Sequence, residues 1–134
     1  MNIISYSTDS SVKPVKKYAN ADLDKLQIIK ENKGKSGVYL LINLINGKTY
    51  IGSSVDLGRR FRYYYDVNTL DKALRKSNYL IYRALLKYGY SNFSLEILEY
   101  CEKSETTEKE QFFMDKLNPE YNLCESANSP LGRT

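Results

Sequence analysis

The feature that most constrains this chain is Asn46-Gly47, set between two β-rich runs, Val38-Tyr39-Leu40-Leu41-Ile42-Asn43 and Lys48-Thr49-Tyr50-Ile51-Gly52. Asn-Gly flanked by such runs is the strongest short-range hairpin signal, because both residues tolerate the positive φ that a tight turn demands. The loop is either the two residues Asn46-Gly47 or the four from Leu44, and the pairing parity is the same in both. Tyr39, Leu41, Asn43, Lys48, Tyr50 and Gly52 then share one face. In the four-residue register Gly52 lies opposite Tyr39, with Tyr50 as Tyr39's diagonal neighbour roughly 7 Å away.

Around the hairpin the periodicity shifts to helical spacing. Asp56 is placed to cap a helix carrying Leu57, Phe61 and Tyr64 or Tyr65 inward. A second helix is expected from Ser77 to Tyr88, with Leu80, Ile81, Ala84, Leu85 and Tyr88 inward and Gly89 as its stop. Phe93 to Tyr100 alternates as a third strand. A third helix runs from about Ser104 to Leu117 and ends at Asn118-Pro119, and a last extended piece holds Tyr121-Asn122-Leu123. Ahead of the hairpin, Met1 to about Lys17 reads as a loosely attached arm. A short helix capped by Asn20 or Asp22 follows, with Leu23, Leu26 and Ile28 or Ile29 inward and Gly34 at its end. The expected fold is α+β, a small three-stranded antiparallel sheet flanked by helices in the order ββααβα. The 134 residues divide into an arm (1–35), one domain (36–124) and the start of a linker (125–134).

Composition removes several chemistries. With no histidine and two cysteines, Cys101 and Cys124, His-dependent hydrolysis, zinc fingers and haem ligation are excluded. Those two cysteines lack a pairing motif and read as reduced thiols. The longest apolar run, Val38 to Ile42, is too short to span a bilayer, so no membrane partner is expected. Residues 1–20 carry neither an arginine nor an apolar stretch suited to a secretory or mitochondrial leader. Acid-base chemistry is left to Tyr, Lys, Asp, Glu or a metal-bound water.

The formal charge is +4 and unevenly spread. Arg59, Arg60, Arg62, Lys72, Arg75, Lys76, Arg83 and Lys87 lie between Val55 and Tyr90, while the last third is acidic. This is either a polyanion footprint or two solvated helix faces. Tyr39 and Tyr50 form either a hydroxyl-lined floor beside Gly52, where a phosphate can approach the backbone, or half-buried strand aromatics under helices. Arg60 is either a phosphate clamp beside the sheet or a surface arginine. Glu110 is spaced with Phe113, Met114 and Leu117 on the apolar stripe of its helix, a costly place for an unpaired carboxylate. Alternatively Thr107 and Glu110 form a capping box.

Gly37-Val38-Tyr39, Tyr50-Ile51-Gly52, Arg60, Glu110 and Asn122, in this order, resemble the GIY-YIG endonuclease family over about Ser36 to Leu123. The likeness is greatest to catalytic domains of homing endonucleases encoded in fungal mitochondrial introns. It rests further on Gly52-Ser53-Ser54-Val55-Asp56-Leu57, Ala84-Leu85-Leu86-Lys87-Tyr88-Gly89 and Leu117-Asn118-Pro119-Glu120-Tyr121-Asn122.

The resemblance implies a DNA endonuclease with Tyr39, Tyr50, Arg60 and Glu110 as catalytic residues and Glu110 as the single protein ligand of Mg2+ or Mn2+. Tyr39 is the expected general base, its pKa lowered by Arg60, Lys48 and the metal, with Tyr50 orienting it or the water. Contacts to double-stranded DNA are expected from Lys48, Gly52, Ser53, Arg59, Arg62, Tyr64, Arg83, Lys87 and Asn122. Tyr64 stands where some branches carry histidine, which makes it a weaker candidate. The resemblance further implies a separate C-terminal DNA-binding domain beyond the linker and a mitochondrial location. The rival readings are a repair or restriction-type nuclease of the same family, a module that binds nucleic acid without cutting it, and an α+β interaction domain with chance matches.

Overall fold

The computed structural model describes residues 12–122, so the expected arm up to residue 11, Leu123, Cys124 and the expected linker lie outside the described residues. The hairpin forms in its four-residue register. Strands β2 (Gly37–Asn43) and β3 (Thr49–Ser54) pair Tyr39 with Gly52 and Ile42 with Thr49. Gly47 takes the positive φ of 78° that the turn requires, and its N–H donates to the Asn43 carbonyl at 2.7 Å.

The sheet has four strands rather than three, in the order β1-β4-β2-β3 with antiparallel pairs. Strand β4 (Phe93–Tyr100) falls where its alternation placed it, and pairs with β2 around a register shift at Val38/Tyr39. The added strand, β1 (Lys16–Tyr18), pairs with β4 through Lys16·Ile97 and Tyr18·Leu95. Three residues following Pro14-Val15 are too few to show a period of two, so this part of the expected arm gave no strand signal.

Every residue of β2 is buried because helices cover both faces of the sheet, which explains its unbroken apolar run. On the Tyr39 side pack α2 (Leu57–Tyr64), α3 (Val67–Leu74) and α4 (Leu80–Tyr88) through Leu57, Phe61, Tyr64, Leu70, Ile81 and Leu85. On the Val38 side lies α5 (Thr106–Leu117), whose Phe113 closes over Val38, Leu40, Ile42, Ile51 and Leu98. Burying each such Leu, Ile or Phe contributes about 1.5–3 kcal/mol.

Five local expectations are corrected. Helix α1 (Lys25–Glu31) buries Ile28, while Leu23 and Leu26 stay 81% and 79% exposed. It packs against α2, where the Gly58 N–H donates to the Asn32 carbonyl at 2.9 Å, and only one side of the helix meets the core. Helix α3 was unforeseen: Asp66 caps it by accepting from Thr69 N at 3.2 Å, but Leu70 is its one buried side chain, too little for a period. Helix α4 accordingly begins at Leu80, not Ser77, and buries Tyr82, while Tyr88 packs only partly. Residues Glu120–Asn122 form a 3-10 turn rather than an extended piece, for a reason that belongs to β3. The capping box, Glu102 with Glu105, belongs to the 3-10 turn Lys103–Glu105 that leads into α5, so Glu110 is not a cap, and Asn118 ends the helix at φ 49°. Among the described residues no helix is long and apolar enough to cross a membrane.

Candidate active site

Tyr39 stands at the middle of β2, 1% exposed, with Phe61 packed edge-on at 5.0 Å between ring centroids. Its hydroxyl lies 2.6 Å from that of Tyr64, so the residue expected to be marginal is Tyr39's direct partner. The signal was present in the stripe Leu57, Phe61, Tyr64 of α2, whose spacing of four and three turns Tyr64 onto the sheet. Tyr50 sits diagonally, its ring 6.5 Å from Tyr39's and tilted by 48°.

Gly52 is glycine because Tyr39 lies across it. A Cβ there would fall 2.6 Å from Tyr39 Cζ and 3.0 Å from Tyr50 Cε2. The space read from the sequence as a phosphate's approach is therefore filled by a phenol. Arg60, half-buried in the second turn of α2, holds its guanidinium 5.9 Å over the Tyr63 ring. With Ser54, Val55, Asp56, Arg59 and Tyr63 it lines an open pocket of about 340 Å³.

Glu110 reaches this group from the other layer. Helix α5 covers the face opposite Tyr39 and packs near β3, the edge strand of the sheet. Glu110 is 3% exposed and accepts a hydrogen bond from the Ser53 hydroxyl. Its negative charge is felt at Tyr50, whose phenol is pushed up to about 12 by burial first and by Glu110 second, against Tyr64's hydrogen bond and Arg60. Tyr39 is raised well above the ordinary phenol value, again by burial and then by Tyr50, with Arg60 and the Tyr64 hydrogen bond opposing. Of the groups expected to lower Tyr39, Arg60 does act in that direction, but burial outweighs it.

Asn122 explains the last turn. Its amide oxygen accepts from Ile51 N and its amide nitrogen donates to Ile51 O, both at 2.8 Å, on the outer edge of β3. Glu120 accepts from Thr49 N at 3.0 Å in the same way. A residue expected to touch DNA thus completes the ladder of the edge strand, buried at 7% exposure. Lys48, Arg59, Arg62, Arg83 and Lys87 are all exposed. Arg83 donates from Nε to Asn78 Oδ1 at 2.9 Å, and Lys87 lies 5.2 Å over Tyr88. Arg59 shares the pocket lined by Arg60, while the other four are solvent-exposed cations; Tyr39, Tyr50, Gly52, Arg60 and Tyr64 gather at one place, and Glu110, bonded to Ser53, acts on Tyr50. What sequence reasoning missed is the continuation of the tyrosines: Tyr82 packs 5.9 Å from Tyr64 and 6.1 Å from Tyr63.

The donor atoms suit one kind of metal. Among the described residues no three His, Cys, Asp or Glu side chains cluster as a metal cage. One carboxylate beside one hydroxyl is a hard oxygen set, fitted to a cation that keeps most of its waters, Mg2+ or Mn2+, rather than to zinc.

Residues 35–122 match the family described as the GIY-YIG catalytic domain. The chain is 32% identical over 102 residues to intron-associated endonuclease 1 of Enterobacteria phage T4, covering 75% of this chain and 40% of that protein. It is 29% identical over 141 residues to the probable intron-encoded endonuclease 1 of Neurospora crassa, covering 96% of this chain and 44% of that one. This chain thus spans less than half the length of either curated relative. Among solved structures, the catalytic domain of the homing endonuclease I-TevI superposes with a TM-score of 0.54 at 30% identity, over 68% of this chain and 100% of that one. A substituted form of the same domain gives the same score over 69% and 96%. The paired tyrosines of β2 and β3, the arginine of α2 and the glutamate of α5 stand inside the matched residues, and the chain belongs to the GIY-YIG endonuclease family.

Proposed function

We propose that this chain is the cutting domain of a homing endonuclease, hydrolysing phosphodiester bonds of double-stranded DNA with Mg2+ or Mn2+ held by Glu110. The observation that carries the reading is the Tyr39–Tyr50 pair on the hairpin, with half-buried Arg60 close enough to act on both phenols and with Glu110, bonded to Ser53 on β3, close enough to act on Tyr50.

Phosphodiester hydrolysis needs a water in line, positive charge against the phosphoryl oxygens and a proton for the departing 3′ oxygen. Arg60 offers its fork of donors to a phosphate in the pocket it lines. When bound, the cation supplies further positive charge at the phosphoryl and departing oxygens. Tyr50 orients the water, and Tyr39 takes its proton. Because burial keeps Tyr39 protonated at neutral pH, the active phenolate is scarce and grows tenfold with each pH unit. Tyr64 steadies Tyr39 through the 2.6 Å hydrogen bond. The basic helices α2 to α4 contribute unspecific backbone attraction, and sequence choice is assigned to a separate DNA-binding domain.

Plasmid nicking in Mg2+ tests this, comparing the parent with Glu110→Ala and Glu110→Gln. The parent should nick, and both variants should lose about 10²-fold or more. Equal cutting by all three removes Glu110 from the mechanism. A parent that fails to nick in either Mg2+ or Mn2+ removes the nuclease reading.

A further inference from the structure

Beside the Arg60 pocket lies a second one, of about 330 Å³, between α3 and α4. Tyr63, Thr69, Lys72, Lys76, Tyr79 and Tyr82 line it, and no carboxylate does. Its volume falls at the lower end of the ~300–1,000 Å³ typical of small-molecule sites. Tyr82 is central: Tyr79 approaches it at 4.8 Å with a 47° tilt and Tyr63 at 6.1 Å with 43°. Tyr82 itself is buried as the pocket's floor, whereas Tyr63 is 37% exposed and Tyr79 half-buried, so these two rings offer the aromatic surface open to a planar guest. The two lysines are exposed, and the Asp71–Arg75 ion pair elsewhere on α3 engages neither.

Tyr63 also walls the Arg60 pocket, so the two cavities share one side chain. We propose that this second pocket receives an unstacked nucleobase of the strand being cut, next to the phosphate held by Arg60. The base lies against the tyrosines, and Lys72 and Lys76 meet the flanking phosphate. Aromatic faces take any base, and ammonium groups take the backbone beside it, which is the chemistry of a single-strand platform. The inference rests on the nuclease reading and extends it: the domain would hold one nucleotide out of the helix while the neighbouring bond is cut, the cost of unstacking being offset by the tyrosine contacts.

Fluorescence anisotropy in EDTA tests it with the full chain, using a short labelled thymidine oligonucleotide and an abasic strand of the same length, alongside plasmid nicking in Mg2+. The parent should bind the base-bearing strand about tenfold more tightly. Tyr79→Ala should abolish that preference, Tyr79→Phe should keep it, and Lys76→Ala should weaken both strands alike. A parent that nicks plasmid but binds both strands equally overturns the pocket and leaves the nuclease reading standing. Retention of the preference in Tyr79→Ala does the same. A parent that neither nicks nor binds either strand overturns both.

Discussion

The two hydroxyls of Tyr39 and Tyr64, 2.6 Å apart and both buried, share a hydrogen bond out of water. Removing one takes a partner from the other, at a cost of about 1–3 kcal/mol, and Tyr64 keeps its bond to Tyr50 when Tyr39 loses its hydroxyl; removing both loses that shared contact only once. Tyr39→Phe and Tyr64→Phe should therefore each lower stability in urea, and the double variant should lose less than their sum. Strict additivity would show that the hydroxyls are not coupled. Gly52 is the third member of this group. Gly52→Ala puts a methyl where Tyr39 Cζ would be 2.6 Å away, and Tyr39 is held by its packing on Phe61 and its bond to Tyr64. Overpacking of this kind should cost about 1–3 kcal/mol and lower nicking as well, because the displaced ring is the proposed base. Unchanged melting and nicking in that variant would mean that Tyr39 can move aside. The need for glycine was legible in the motif, but the reason was not: the sequence suggests an opening, and the structure shows a ring.

At the scale of elements, β3 is an edge strand made safe by side chains. Thr49 and Ile51 point their outer backbone groups at Glu120 and Asn122, which the 3-10 turn brings alongside. Asn122→Ala should leave the Ile51 N–H and C=O without these partners, lowering stability by about 1–3 kcal/mol. The Ile51 amide should then exchange with solvent faster while amides of β2 hold. Protection of Ile51 equal to the parent's would refute the role. Elements with a strong local period were legible: the hairpin, β4, and the Leu57, Phe61, Tyr64 face of α2. Elements lacking one were not, since β1 is three residues long and α3 buries only Leu70. For Glu110 the buried stripe could be read from its spacing with Phe113 and Leu117. That α5 lies on the face opposite Tyr39, and packs near the edge strand β3, depends on strand order, which no local pattern encodes. Asn122 stood out as part of the motif, yet its work on β3 is a contact across 71 positions of sequence.

The whole molecule is built on tyrosine: 13 of them and no tryptophan, many inside. Burial raises the phenols of Tyr18, Tyr39, Tyr64, Tyr65 and Tyr82 above the ordinary value, and brings Tyr50 to about 12. The sign of the linkage follows. Below about pH 10 both folded and unfolded tyrosines are protonated, so these groups make stability independent of pH. Above it the unfolded chain releases protons that the native core retains, and stability falls by up to about 1.4 kcal/mol per pH unit for each such group. At the acid end, Glu31 acts in the opposite sense. Lys16, Tyr18 and Gln27 bond its carboxylate and hold it at about 2, so its support for β1 and α1 is present above the usual carboxylate range and lost as pH falls towards 2. Melting temperature should accordingly be flat from neutral pH to about pH 9 and then drop steeply, with phenolate absorbance of the buried tyrosines appearing together with unfolding. Gradual ionisation of all tyrosines near pH 10 without loss of structure would contradict a sealed phenol core. The same burial bounds the proposed activity: with Tyr39 as the base, cutting should rise with pH as Tyr39 ionises, and end abruptly where the core that holds Tyr39 comes apart, rather than level off at a plateau.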